Sequence, residues 1–101
     1  MKAGNGILKG ELKVKGGKLV KCSLSVKNGA IEHIKFTGDF FMYPEEKIEE
    51  LEKMLEGVEC TEEDIKERIA PFFDTVELMG ASMEDFVAVV SMAIKNLKGG
   101  M

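Results

Sequence analysis

The sequence predicts an α+β fold, a three-stranded antiparallel meander packed on one face by three or so helices. Two observations carry that prediction. Apolar residues recur at every second position through the first third of the chain and at helical spacing through the remainder. Turn dipeptides, Gly16-Gly17 and Asn28-Gly29, separate the alternating runs, whereas cap and stop residues bracket the helical ones. A meander alone would leave its apolar face in water, so the helices must pack there.

In the first strand, Leu8, Leu12 and Val14 alternate with Lys9, Glu11, Lys13 and Lys15. Gly16-Gly17 suits a two-residue hairpin, since both glycines accept positive φ. Val20, Cys22, Leu24 and Val26 then alternate with Lys21, Ser23, Ser25 and Lys27, and Asn28-Gly29 is the strongest short hairpin signal in the chain. The run from Ala30 to Thr37 turns Ile34 and Phe36 inward and His33 and Lys35 outward, leaving Glu32 at an inward position that does not suit it. The strands occupy about 7–38 and the helices about 44–98.

Pro44 fits a first helical position, and Glu45, Glu46, Glu49 and Glu50 load the early turns where the helix dipole favours anions. Ile48, Leu51 and Leu55 share a face, and Gly57 supplies the stop. Thr61 followed by Asp64 resembles a capping box, and Ile65, Ile69, Phe72 and Phe73 form the next stripe. Pro71 is unfavourable inside a helix, so this one is expected to end or kink near Ala70. Ser82 caps a last helix bearing Phe86, Val90, Ala93, Ile94 and Leu97, with Gly99-Gly100 as its stop.

The 101 residues fit a single domain spanning 1–101, and 45% hydrophobic with 32% charged residues excludes disorder, collagen and a disulfide scaffold. The formal charge of -4 hides an asymmetry: residues 1–38 carry +6 and residues 39–101 carry -10. No apolar run is long enough to cross a membrane, and the N-terminus lacks the apolar stretch of a secretory signal. Two isolated cysteines and one histidine do not make a zinc cluster, and reduced thiols fit a cytoplasmic protein.

The outward strand positions present Lys9, Lys13, Lys15, Lys21, Lys27, Lys35 and His33, interspersed with Ser23, Ser25 and Thr37. Such a face attracts phosphate or an acidic partner, or is simply a solvated sheet that discourages edge pairing. It has no aromatic stacking platform, which argues against nucleic acid. Cys60 precedes a helix cap, but Glu59, Glu62, Glu63 and Asp64 around it oppose a thiolate. His33 has no partner fixed by local spacing and reads as a surface side chain. The segment Gly38-Asp39-Phe40-Phe41-Met42-Tyr43-Pro44 puts three aromatics and a methionine between sheet and helices. It reads as a hydrophobic plug or as an exposed patch awaiting a partner.

Taken together, the Gly-rich hairpin, Val26-Lys27-Asn28-Gly29-Ala30-Ile31, and Ile34-Lys35-Phe36-Thr37-Gly38-Asp39-Phe40-Phe41 resemble the C-terminal accessory domain of lipoate–protein ligase. The leucine-bearing helix ending at Gly57 and the helix opening at Thr61 extend the resemblance, which covers about 8–70 well and the rest loosely. It implies a fold similar to sulfur-transfer and iron–sulfur scaffold proteins and a separate small subunit in a heterodimer. The resemblance further implies that ATP, Mg and lipoate bind at the catalytic subunit and that this chain alone binds no cofactor. The pair would form lipoyl-AMP and pass the lipoyl group to a Lys of acceptor domains, which this chain meets only indirectly. Partner-interface candidates are Lys13, Lys21, Lys35, Gly38, Asp39, Phe40 and Phe41.

The chain itself is consistent with a non-catalytic role: it has no P-loop, its glycines sit at hairpins, and so short a domain has little room for a closed nucleotide pocket. The alternative is a sulfur-transfer or iron–sulfur assembly protein of similar fold, which would need a set of cluster-ligating residues or one exposed cysteine. A lipoyl acceptor domain is disfavoured by the C-terminal helices and by the lack of a Lys on a tight turn flanked by acidic and small residues.

Overall fold

A computed structural model describes residues 7–14, 16 and 18–99 of the chain. Strands β1 (Leu8–Lys13), β2 (Leu19–Lys27) and β3 (Ala30–Gly38) form an antiparallel sheet in the order β1-β2-β3. Val20, Cys22, Leu24, Ile34 and Phe36 are buried on one face, while Lys9, Lys13, Lys21 and Lys35 are exposed on the other. The expected meander is present, and helices cover its apolar face.

The first hairpin and the strand after the second differ from the expectation, and for one reason. Facing residues of an antiparallel pair lie on the same side of the sheet, so even-numbered apolar positions must meet even-numbered ones. A two-residue loop at Gly16-Gly17 would have set Leu12 against Lys21. Instead Leu12 pairs with Val20 and Lys13 with Leu19, and the Val14 N–H donates to the Lys18 carbonyl at 2.8 Å. The connection therefore spans 14–18; Lys15 and Gly17 lie outside the described residues, as does Gly100 of the expected last stop.

The second hairpin does turn on Asn28-Gly29, with φ of 56° and 80°. A two-residue turn starts the pair out of step, and Val26 lies opposite Ile31. The register then shifts past Glu32, so that Leu24 meets Ile34 and Cys22 meets Phe36. This β-bulge exposes Glu32 and buries Ile31 in its place, which removes the inward carboxylate that simple alternation implied.

The chain next forms a short strand, β4 (Phe41–Tyr43), which pairs antiparallel with β5 (Glu77–Met79) far along the sequence. Neither strand was expected; both lie in the span read as connection or helix. Pro44 consequently leaves a strand rather than opening a helix. The Pro44 and Glu45 carbonyls accept from Lys47 and Ile48 in a turn, and α1 (Lys47–Met54) follows.

Helix α2 (Glu62–Phe73) begins at the expected cap: the Asp64 N–H donates to Thr61 Oγ1 at 3.2 Å, and that hydroxyl donates to Asp64 Oδ2 at 2.9 Å. It continues through Pro71 to Phe73, correcting the expected end near Ala70. Pro71 lies exposed in the last turn, where the one forfeited helical hydrogen bond faces water and costs little. Helix α3 (Met83–Gly99) starts with a reciprocal cap, Ser82 N–H to Asp85 Oδ2 at 2.9 Å and Asp85 N–H to Ser82 Oγ at 3.4 Å.

Helix α3 lies across β1 and β2. Gly10 makes this approach possible, since a Cβ there would meet the Val89 carbonyl and the Ala93 backbone. Cys22 Sγ donates to the same Val89 carbonyl at 3.5 Å, and Asn96 Nδ2 donates to the Lys9 carbonyl at 2.6 Å. On the far side, α1 closes the free edge of β3: Glu52 Oε2 accepts the Phe36 N–H at 2.9 Å, and Ile31 bonds to Gly57 and Val58 through its own carbonyl and N–H. Phe86 of α3 stands at the centre of the core, with Phe36 and Phe40 rings each 5.0 Å away and Phe73 at 5.4 Å.

Candidate docking surfaces

The outer face of the three-stranded sheet carries the basic half of the chain. Ser23 sits between Lys9 and Lys35, and Lys21 between Glu11 and Thr37. Adjacent strands are about 4.8 Å apart, so Lys9 and Lys35 attach to backbone roughly 10 Å apart. Lys13 pairs with Leu19 at the strand end, and Lys35 shares a shallow groove with Glu49 and Glu52 of α1. Among the described residues Lys47 and Glu50 form an ion pair at 3.3 Å and His33 Nδ1 lies 3.6 Å from a Glu56 carboxylate oxygen, neither contact involving Lys13, Lys21 or Lys35. These three candidates spread a positive field across an open sheet and do not converge on a point.

The segment from Gly38 to Tyr43 divides sharply. Gly38 takes φ +145°, and a Cβ there would meet the Leu19 carbonyl. Asp39 clamps the start of β2, its N–H donating to the Leu19 carbonyl at 2.7 Å and its carboxylate accepting the Leu19 N–H at 3.2 Å. Phe40 packs edge-on against Phe86, and Met42 is buried. Gly38, Asp39 and Phe40 therefore serve the fold at this point.

Phe41 and Tyr43 point the other way, 67% and 68% exposed. Across the ribbon Phe41 pairs with Met79, itself 63% exposed, and Tyr43 pairs with Glu77. Three large apolar side chains thus form one platform on β4 and β5. Beside it runs an open groove of about 760 Å³, with Phe36 and Ile48 among its walls and Glu45 and Glu77 among its lining. The volume is within the usual range for ligand sites, but the groove opens to solvent. The plug and the exposed patch are both real and are opposite faces of β4.

Met79 was not among the sequence candidates. Its place in the platform depends on a pairing between residues nearly forty positions apart. The available signal was the alternation Phe40, Phe41, Met42, Tyr43, which is a strand with two apolar faces and so shows no change of polarity.

The cysteines are chemically quiet. Burial pushes the Cys22 thiol up to about 12. Cys60 is also raised, first by burial and then by the neighbouring Glu59 carboxylate. No group of three or more His, Cys, Asp or Glu stands ready to hold a metal among the described residues. No helix among them is long and apolar enough to cross a membrane.

The profile of the family described as bacterial lipoate protein ligase C-terminus matches residues 6–90. The chain belongs to this family. It is 38% identical over 70 residues to lipoate-protein ligase A subunit 2 of Thermoplasma acidophilum, covering 68% of this chain and 72% of that one. Its fold is similar to a chain in the solved archaeal lipoylation system of the same organism, a bi-partite lipoate protein ligase and its E2 lipoyl domain. That likeness has a TM-score of 0.72 at 31% identity and covers 84% of this chain and 94% of the other. Membership in the lipoate protein ligase C-terminal family supports the ligase-subunit reading over the sulfur-transfer or iron–sulfur alternative.

Proposed function

We propose that this chain is the accessory subunit of a two-chain lipoate–protein ligase. It docks on a catalytic subunit and enables ATP-dependent conversion of lipoate to lipoyl-AMP, which precedes lipoyl transfer to a Lys of an acceptor protein. The observation that carries this reading is the likeness in sequence and fold to a ligase's second subunit and to a chain of a bi-partite ligase.

The physical role fits a binding subunit. Adenylation brings a carboxylate to a crowded, charged phosphate, and its rate depends on ordered groups around the reacting centre and on exclusion of water. A rigid domain seated beside that centre orders loops that would otherwise move. ATP, Mg and lipoate belong, on this reading, to the catalytic subunit, and the pair works in the cytoplasm. The deciding experiment mixes the catalytic chain with ATP and lipoate and follows pyrophosphate. Adding this chain should raise lipoate-dependent release on the order of a hundredfold, the scale lost when reacting groups are misplaced. A catalytic chain that runs at full rate alone would overturn the proposal.

A further inference from the structure

We propose that the β4–β5 platform, and not the basic sheet face, is the surface that seats the catalytic subunit. Its occupant is a segment of that subunit bearing apolar side chains flanked by Lys or Arg. The inference rests on the accessory-subunit reading and specifies where and how the docking occurs.

Large, exposed apolar side chains are costly to leave in water, and a cluster of them on a small domain marks an interaction site. Phe41, Tyr43 and Met79 contribute little to the core, because the inward positions of the same ribbon, Met42 and Leu78, already do that packing. The platform is also preorganised. Just before β4, Asp39 is fixed to the start of β2 and Phe40 packs on Phe86, and β5 pairs along the length of β4. Such an array has the makings of an interface hot spot: aromatic, rigid and costly to leave hydrated.

Charge selects the occupant. Glu45 and Glu77 line the groove, and no cation lies within ion-pair distance of either among the described residues. Free lipoate or another fatty acid would bring its carboxylate towards two carboxylates. A basic, apolar protein segment would bury its side chains on the platform and meet those carboxylates at its edge. The lysines of the sheet face lack an apolar centre, and scattered exposed charges mainly steer approach.

Titration calorimetry of the purified catalytic chain with variants of this one tests the assignment. Phe41→Ser and Met79→Ser should each weaken binding by roughly thirtyfold or more, the range of hot-spot losses, with unchanged circular dichroism and melting. Glu45→Lys with Glu77→Lys should weaken it about tenfold, whereas Lys9→Ala with Lys21→Ala should change it less than about threefold. Binding within twofold of wild type for both apolar variants, or loss of binding in the lysine variant, overturns the assignment. Sedimentation equilibrium of this chain alone adds a control: a dimer abolished by Phe41→Ser would mean that a second copy is the occupant and would also overturn it. Failure of the accessory-subunit reading looks different, because the wild-type chain would then neither bind the catalytic chain nor stimulate pyrophosphate release.

Discussion

The two sheets of this domain handle apolar residues in opposite ways. In β1–β3 apolar and polar positions alternate except at the bulge beside Glu32, with Val20, Leu24, Ile34 and Phe36 under the helices and lysines, serines and Thr37 towards water. In β4–β5 both faces carry large apolar side chains: Met42 and Leu78 face inward, while Phe41, Tyr43 and Met79 face outward beside Glu77. The first sheet spends its hydrophobicity on folding alone. The second has large apolar groups left over, and a domain that needed only to fold would have no use for them.

Breaking the inward set should have the largest effect. Phe86→Ala removes the ring that contacts Phe36, Phe40 and Phe73, and urea denaturation should show a loss of about 3–5 kcal/mol. Gly10→Ala forces a methyl between β1 and α3 and should cost about 1–3 kcal/mol by the same measurement, as overpacked sites do.

The neighbouring pair Phe40 and Phe41 sharpens the comparison within two residues. Phe40→Ala should destabilise by about 2–3 kcal/mol, less than a fully buried Phe because Phe40 is only half-buried. Phe41→Ala should stay within about 0.5 kcal/mol of wild type, as exposed substitutions do. Equal losses at both positions would dissolve the distinction between the two faces of β4.

Cys22 offers a pH reading of the inward face. Its folded thiol titrates near 12, above the ordinary value of 9.0, so the unfolded chain releases that proton first. Stability contributed by the neutral buried thiol is therefore intact below pH 9 and falls as pH rises from 9 towards about 12. Cys22→Ala should flatten this part of the urea-midpoint profile. In a thiol-labelling assay at pH 8, partly exposed Cys60 should react well before buried Cys22.

The smallest effect belongs to the basic sheet face. Lys21→Glu should leave the melting temperature almost unchanged and lower the association rate with the catalytic chain a few-fold at low salt. That difference should fade above about 0.15 M ionic strength, where the screening length is about 8 Å.

Local rules carried the sequence reading wherever one residue type has one structural meaning. Asn28-Gly29 turned where the dipeptide demands it, and Thr61 and Ser82 capped their helices. The misreadings had non-local causes. The parity of the first connection follows from the pairing of Leu12 with Val20, which outranks the turn preference of Gly16-Gly17. Simple alternation points Glu32 inward because the bulge that exposes it depends on the partner strand. Pro71 costs α2 little because it lies two residues from the helix end, and that end is not marked in the local sequence. The docking platform was half-visible, as Phe41 and Tyr43 without the β5 partner that brings Met79 beside them.

Hydrogen exchange of this chain with and without the catalytic subunit tests the central claim most directly, because it reads the buried surface with no mutation at all. The account predicts slowed exchange at 41–43 and 77–79 on mixing, with β1–β3 unchanged. Protection confined to β1–β3 would contradict it.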